Sequence, residues 1–292
     1  MKIKIFSFHN NKYYKFIINI FFLLFLFFYN VKYYPKDEIT LVTALFKMKS
    51  KFSFDKYLKW VENLLLINCS IVFFVDKEIS NIIKSKRPYI YENKTIWIET
   101  SIKDFYTYKN FRINFIESYE KDLEKSYHTI NLYLIWAEKC HFLKKVIYHN
   151  YFHSQCFYWI DAGYFRDKSK KYINGWPCIK KCKEDPRVLI NSIRKLSNNE
   201  IKELKNFNIS FYENFIKKTN VGGGFFGGNP KYLKKFIYLY YKAIKDFNKH
   251  NMFIGKDQNI FAYVAYLNPK IVKIVQSGKW HFFKDFLSKF YK

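Results

Sequence analysis

The stretch FYWIDAGYFRD, residues 157–167, decides how the rest of the chain is interpreted. Its first four residues are aromatic or branched apolar, and the run ends abruptly at Asp161, Ala162 and Gly163. A short apolar run closed by small residues is typical of a buried strand. Ligands of open α/β sheets bind at the carboxyl ends of strands. The stretch therefore indicates either a site for a metal ion or a sugar nucleotide, or a core strand that ends in an ordinary Asp turn.

The residues before this stretch predict a strand–helix–strand unit. Residues 39–46, ITLVTALF, are rich in β-branched residues and predict a first buried strand. Apolar residues recur at helical spacing over 54–65, and residues 71–75, IVFFV, predict a second strand. Further strands are expected at 95–98 and 271–275. A strand, a helix and a strand at this spacing imply a parallel sheet, so we expect one α/β domain over residues 39–292.

A second distinctive stretch is NVGGGFFGGNP, residues 220–230. Glycine permits close approach of the backbone to a ligand, and exposed backbone amides can hold anions, so we expect a glycine-rich loop at the site. The spacing fits neither a dinucleotide-binding fingerprint nor a P-loop. Phe225 and Phe226 either stack on a sugar face or attach the loop to the core.

Four charged or titratable side chains are further candidates. Lys139 lies on the apolar face of a predicted helix, where it either reaches a phosphate or remains a solvated lysine. Asp76 ends the second predicted strand and is placed to meet a ribose or a base. Asp257 opens a helix, either as its N-cap or as a group that binds or activates a hydroxyl. His281 is either a metal ligand or a structural histidine.

Composition argues against nucleic acid as a partner. The chain has 292 residues and a formal net charge of +27, which by itself favours nucleic acid or an anionic membrane. The basic residues are overwhelmingly lysines, enriched together with Asn, Ile, Tyr and Phe as expected from an A/T-rich genome. Arginine, which bidentate phosphate recognition favours, is scarce. We therefore predict no nucleic-acid partner.

The N-terminus predicts a membrane anchor. Residues 16–31 form an apolar stretch that follows a basic tail, residues 1–15, and no small-residue cleavage site comes after it. Residues 32–38 form a polar tether. We therefore expect an uncleaved single-pass anchor, with the catalytic domain in the lumen of the secretory pathway.

Only two of the five cysteines are close in sequence, Cys178 and Cys182. Their spacing is weak evidence for zinc. A bridge between them in an oxidising lumen is the alternative.

These motifs, in this order, resemble the HtrL/YibB (WlaTC/HtrL) family of glycosyltransferases. The resemblance covers the first strand, the following helix and strand, FYWIDAGYFRD, GGGFFGG and KDQ, from about residue 39 to residue 280. It implies a type A glycosyltransferase fold, with Asp161 at the first aspartate of a D-x-D motif. Gly163 stands where the second aspartate would be. A cation such as Mn²⁺ or Mg²⁺ is implied, held by Asp161 with the diphosphate and His281.

The resemblance also implies which residues bind the donor and which bind the acceptor. The donor is expected to be a nucleotide sugar, with a UDP-sugar as the first choice, and the acceptor a glycan, a lipid-linked glycan or a protein. Asp161 and Asp257 are the catalytic candidates, the latter as general base if the enzyme inverts. The alternative is a catalytically degenerate glycan- or nucleotide-binding protein of the same fold. The expected donor-binding residues are Thr43, Ala44, Asp76, Lys139, Asp161, Ala162, Gly163 and Arg166. The expected acceptor-binding residues are Gly223, Gly224, Phe225, Phe226, Gly227, Gly228, Asp257 and Gln258.

Overall fold

The computed structural model describes residues 16, 20, 34–167 and 170–289. The predicted anchor, residues 16–31, lies outside this range except for Phe16 and Ile20. Across the described residues, no helix combines the length and apolar character needed to cross a bilayer. The fold below is that of the unit Pro35–Lys292.

One seven-stranded sheet forms the centre of the fold, with the strand order β3-β2-β1-β4-β6-β5-β7. The pairs β1–β2, β1–β4, β2–β3 and β5–β7 are parallel, whereas β6 is antiparallel to both β4 and β5. All described strands except β6 therefore run in one direction, and the prediction of an α/β fold with a mainly parallel sheet is confirmed. The strands are β1 (Ile39–Leu45), β2 (Ser70–Val75), β3 (Thr95–Glu99), β4 (Cys156–Ile160), β5 (Val188–Ser192), β6 (Val221–Gly228) and β7 (Val272–Gln276).

The helices cover both faces of this sheet. They are α1 (Phe54–Leu65), α2 (Ser80–Lys84), α3 (Tyr106–Tyr119), α4 (Ile130–His149), α5 (Lys180–Glu184), α6 (Asn198–Lys205), α7 (Ile209–Phe215), α8 (Pro230–Lys249), α9 (Asp257–Leu267) and α10 (Phe283–Phe286). Short 3-10 turns lie at Lys77–Ile79, Tyr89–Lys94, Ile102–Asp104 and Lys170–Tyr172.

Side chains that alternate along the strands build two cores. Phe73 packs against Trp97 on the face that also buries α1. Its neighbour Phe74 points to the other face and stacks on Phe142 of α4, with ring centroids 4.0 Å apart. Because β1, β2 and β4 are buried on both faces, their sequences are continuous apolar runs rather than alternating ones. This explains why β1, β2 and β4 were predicted to within a residue of their observed bounds. The partly exposed strands β3 and β7 were also placed within a residue.

The glycine-rich stretch is a strand, so the prediction of a loop was wrong. Residues 221–228 form β6, and all eight residues are buried between β4 and β5. A Cβ at Gly227 would lie 2.6 Å from the Cα of Tyr158, and one at Gly228 would lie 2.5 Å from the carbonyl oxygen of Arg187. The glycines thus permit close packing of the strand against neighbouring backbone.

Of the alternatives for the two phenylalanines in β6, the structure shows attachment to the core. Phe225 is 2% exposed and stacks on the ring of Tyr158, whereas Phe226 is fully buried and contacts the ring of Phe261. Neither ring offers a face to a sugar.

The predicted cysteine pair is not the one that forms. Cys182 in α5 is bonded to Cys156, the first residue of β4, and Cys178 is a half-buried free thiol. The disulfide therefore ties a helix to the central strand, across a sequence separation of 26 residues.

Candidate active site

A cavity of about 230 Å³ opens at the carboxyl ends of β1 and β4. The chain leaves β1 toward β2 and β3 on one side, while β4 lies on the other side of β1. The cavity therefore lies where the strand order reverses, which is the position that ligands take in open α/β sheets. Its lining comes from the ends of β1 and β4, from α1 and α4, and from the chain after β7; it comprises Ala44, Leu45, Phe46, Met48, Ser50, Phe54, Tyr57, Trp60, Leu132, Ile135, Trp136, Lys139, Trp159, Asp161, Ala162, Gly163, Tyr164, Arg166, Trp280 and His281.

Among the described residues that line the cavity, Asp161 is the only carboxylate. It follows β4 directly, and its backbone N–H donates to the carbonyl oxygen of Gly224, at 2.8 Å. Its Oδ1 lies 2.8 Å from Trp159 Nε1 and 3.0 Å from Lys139 Nζ. Its Oδ2 accepts no hydrogen bond from any residue that the structure describes, and the side chain is 38% exposed. One oxygen therefore fixes the carboxylate, and the other is available to a ligand.

Lys139 is the centre of a buried charge cluster. Its side chain is 3% exposed, and its ammonium lies 2.8 Å from Asp257 Oδ2, 3.0 Å from Asp161 Oδ1 and 3.1 Å from the carbonyl oxygen of Gly223. These three acceptors occupy its three N–H groups. Burial alone would lower the pKa of Lys139, but the two carboxylates more than offset burial and hold that pKa above its usual value.

Asp257 is the third member of the charge cluster. It is the first residue of α9 and the N-cap is Lys256, so the N-cap prediction was wrong. The Asp257 side chain is 3% exposed and is not part of the cavity lining. Burial raises its pKa, although Lys139 counteracts part of the rise. The cluster thus brings one ammonium group together with two carboxyl groups. The general-base role of Asp257 stays a prediction.

Two glycines of β6 make room for the two carboxylates. A Cβ at Gly223 would lie 3.0 Å from both carboxylate oxygens of Asp257, and one at Gly224 would lie 3.2 Å from Asp161 Oδ2. The amino end of β6 therefore contributes backbone rather than side chains to the site.

The cavity also has aromatic and cationic side chains. The Arg166 guanidinium lies 4.6 Å from the centre of the Trp60 ring and 5.5 Å from that of Phe52. Trp136 and Trp280 contribute further rings to the lining. Sequence reasoning did not assign Phe52, Trp60 or Trp136 to the site. No local pattern marks them, because their position near Asp161 depends on how distant segments pack together.

His281 lines the cavity beside the ring of Tyr164. Burial, together with the positive charges of Lys284 and Arg166, lowers the pKa of His281 to about 4. The imidazole is therefore neutral near pH 7, which is the form that ligates metals.

The remaining predicted residues are dispersed. Ala44, Ala162 and Gly163 line the cavity, whereas Thr43 is fully buried within β1. Asp76 caps the 3-10 turn after β2 and is not in the lining. Gln258 lies in the first turn of α9, also outside it. Of the predicted acceptor residues in β6, Phe225, Phe226, Gly227 and Gly228 belong to the sheet and its core.

The donor set suits a divalent cation only as a partial site. Among the described residues, no group of three or more His, Cys, Asp or Glu side chains is arranged to hold a metal. Asp161 Oδ2 and the neutral imidazole of His281 supply two donors at the same cavity. Mg²⁺ is usually held by one or two carboxylates together with substrate phosphates and water. The residues present therefore fit a cation that arrives with a phosphorylated ligand.

Two solved structures resemble the fold at 10% sequence identity. Core-mannan synthase A from Aspergillus fumigatus, in its Mn/GDP form, matches with a TM-score of 0.47 over 82% of this chain and 73% of that chain. The 4-diphosphocytidyl-2C-methyl-D-erythritol synthase from Anaerococcus prevotii matches with a TM-score of 0.33 over 86% of this chain and 91% of that chain. No curated protein matches the chain.

A family model described as "Bacterial protein of unknown function (HtrL_YibB)" matches residues 37–288. The match begins just before β1 and ends after α10, so it includes the whole sheet and every element that borders the cavity. The chain therefore belongs to the HtrL_YibB family.

Proposed function

We propose that the cavity transfers a hexosyl group from a nucleotide-sugar donor, with a UDP-sugar as the first choice, to a glycan, lipid-linked or protein acceptor on a type A glycosyltransferase fold. One observation carries the proposal. Asp161 offers a carboxylate oxygen without a partner among the described residues, at the point where the strand order reverses. It does so inside a cavity lined by aromatic rings and one arginine.

Cleavage of a sugar–diphosphate bond develops negative charge on the leaving diphosphate. Positively charged groups and hydrogen-bond donors that stabilise this charge lower the barrier. Arg166 is exposed at the cavity and does not form an ion pair within the described part of the chain, so its guanidinium is free to bind a diphosphate. Asp161 Oδ2 and His281 would hold a Mn²⁺ or Mg²⁺ ion. Such an ion, when bound, supplies further positive charge to the diphosphate oxygens.

Lys139 and Asp257 position Asp161 rather than contact the donor. All three N–H groups of Lys139 are used by protein acceptors, and Asp257 lies behind it, outside the lining. The ammonium and Trp159 together hold one oxygen of Asp161, so the second oxygen keeps a fixed direction. This arrangement supplies the preorganisation that electrostatic catalysis requires.

The aromatic residues of the lining are suited to the sugar and the base. Tyr57 and Trp280 are half-buried rings of the lining with polar edges, and such rings stack on sugar rings and on nucleobases. We assign the donor to the part of the cavity near Asp161 and Arg166, and the acceptor to the remaining aromatic lining.

The test is nucleotide release by the full-length protein from UDP-, GDP- and CMP-sugars, with Mn²⁺, with Mg²⁺ and with a chelator. Asp161→Asn keeps the size of the side chain and removes its charge. We expect release to fall by roughly a hundredfold, as for loss of one strong electrostatic stabiliser. Asp76→Asn, at the end of β2 and outside the cavity, is the matched control and should retain activity.

Near-normal turnover by Asp161→Asn would overturn the assignment of this carboxylate. A wild-type protein that binds a nucleotide sugar but turns over none of the donors would instead support the degenerate binding protein. Loss of release in the chelator would assign a divalent cation to the reaction.

The proposal includes membrane attachment through residues 16–31, with the catalytic domain on the lumenal side. In a eukaryotic host, the full-length protein should remain in the membrane pellet after carbonate extraction, because an uncleaved apolar span of this kind is not released at high pH. A soluble mature protein that begins after residue 29 would contradict it.

A further inference from the structure

A second cavity lies between α4 and α8, with a volume of about 510 Å³. Its lining comprises Tyr106, His141, Lys144, Lys234, Ile237, Tyr238, Tyr241, Lys242 and Lys245, and we call it the α4–α8 groove. With about 3.6 residues per helical turn, His141 and Lys144 lie on the side of α4 opposite to Lys139 and Trp136. The groove is therefore separate from the candidate active site.

The groove carries positive charge and no negative charge. Of the residues that the structure describes, four lysines and no carboxylate line it. Within the described part of the chain, none of the four forms an ion pair, whereas exposed lysines elsewhere do, such as Lys84 with Glu99 and Lys125 with Glu120. Burial, together with the positive charges of Lys145 and Lys144, lowers the pKa of His141 to about 4. The lysine charges of the groove therefore have no negative partner among the described residues, and an anionic ligand would provide one.

The floor of the groove is aromatic and rigid. The rings of Tyr106 and His141 are parallel, with centroids 4.8 Å apart. Tyr241 packs against Tyr106, is 9% exposed and donates its hydroxyl to the carbonyl oxygen of Ala137, at 2.9 Å. At the rim, Tyr238 is 68% exposed. Ring faces below and ammonium groups around the edge form a concave surface with both apolar and cationic parts.

We infer that the α4–α8 groove binds an acidic saccharide, a sugar that carries a carboxylate or a phosphate. Its sugar ring would lie on the aromatic floor, and its acidic group would meet the lysines. Concavity favours a discrete ligand of one or two sugar units over a flat membrane surface. The cationic groups are lysines rather than arginines, which suits a single anionic group better than bidentate recognition along a nucleic-acid backbone. The inference concerns binding and does not depend on transfer activity in the other cavity.

The experiment measures binding of the full-length protein to matched probes by calorimetry. Digalacturonate is compared with galactobiose, and mannose 6-phosphate with mannose, so the two arms separate carboxylate from phosphate as the acidic group. We expect at least one acidic saccharide to bind at least tenfold more tightly than its neutral partner. Inorganic polyphosphate, phosphatidylserine vesicles and single-stranded DNA are the competing ligand classes.

Two variants test the groove itself. Lys234→Gln/Lys242→Gln should weaken binding of the acidic saccharide by about tenfold, as expected from loss of two partly exposed charge contacts. Tyr238→Ala should weaken the saccharide but leave polyphosphate binding unchanged. The control Lys202→Gln/Lys205→Gln removes two exposed lysines of α6, outside the groove, and should change neither.

Three results would overturn the inference. The first is that acidic and neutral sugars bind equally, or that neither binds. The second is that the control variant weakens binding as much as the groove variant does. The third is that polyphosphate, vesicles or DNA bind more tightly than the acidic saccharide through the same lysines. All the substituted side chains are exposed, so the variants should fold, and a melting curve confirms this.

Discussion

Replacement of Lys139 by methionine tests the physical centre of the site. The change keeps a long unbranched side chain but removes the ammonium from between Asp161 and Asp257. Asp257 is then a buried carboxylate without its counter-charge, and the carbonyl oxygen of Gly223 loses its donor. Loss of one partner of a buried ion pair costs about 3–5 kcal/mol, and the unpaired carbonyl adds about 1 kcal/mol. We therefore expect the free energy of unfolding to fall by about 4–6 kcal/mol near pH 7.

This loss should depend on pH. Burial raises the pKa of Asp257 and Lys139 counteracts part of that rise, so the pKa rises further in the variant. A carboxyl group with a raised pKa in the folded state binds a proton more tightly there than in the unfolded state. Its protonation favours folding at low pH, and this advantage is lost as the pH rises from the unfolded-state pKa through the folded-state pKa. Lys139→Met should therefore be less destabilised at pH 5 than at pH 8.

Urea denaturation at these two pH values measures the effect, with the double variant Lys139→Met/Asp257→Asn as the control. The double variant removes both charges, so it should recover about 2 kcal/mol or more relative to Lys139→Met and lose the pH dependence. The reasoning would be refuted if Lys139→Met lowered the free energy of unfolding by less than about 1 kcal/mol. It would also be refuted if the loss in the double variant equalled the sum of the losses in Lys139→Met and Asp257→Asn.

Two further predictions concern the sheet. Gly227→Ala should lower the free energy of unfolding by about 3 kcal/mol or more, because the new Cβ would lie 2.6 Å from the Cα of Tyr158. Gly222→Ala is the control, because its Cβ would meet nothing closer than 3.5 Å. Equal losses of stability in thermal unfolding of the two variants would contradict the argument. Substitution of Cys156 and Cys182 by serine should cost about 3–4 kcal/mol, from the entropy of closing this loop; calorimetric unfolding that matches the wild type would show that the disulfide contributes nothing.

The sequence by itself determined the architecture of the strands β1, β2 and β4 and of the helix α1. Parallel strands buried on both faces require continuous apolar runs, and such runs are visible without knowledge of their neighbours. The place of Asp161 followed from the same reasoning, because a charge at the end of such a run must lie where the strand leaves the sheet. The order of motifs also indicated the family, which the match over residues 37–288 confirms.

The strand β6 could not be read in the same way. Five of its eight residues are glycines, which have no side chain to show an apolar pattern, so a strand and a loop look alike in the sequence. Only the packed sheet shows why they are glycines: Gly227 and Gly228 lie against neighbouring backbone, and Gly223 and Gly224 make room for carboxylates.

Tertiary structure alone decided which charges meet. Lys139 and Asp257 are separated by 118 residues, and their side chains come together only because α4 and the start of α9 converge behind the end of β4. A lysine on a helix face and an aspartate at a helix start each have an ordinary local explanation, as a solvated side chain and as an N-cap. Their burial and pairing depend on which elements pack against them. Local patterns carry no information about that, since contacts between distant segments are set by the packing of the whole chain.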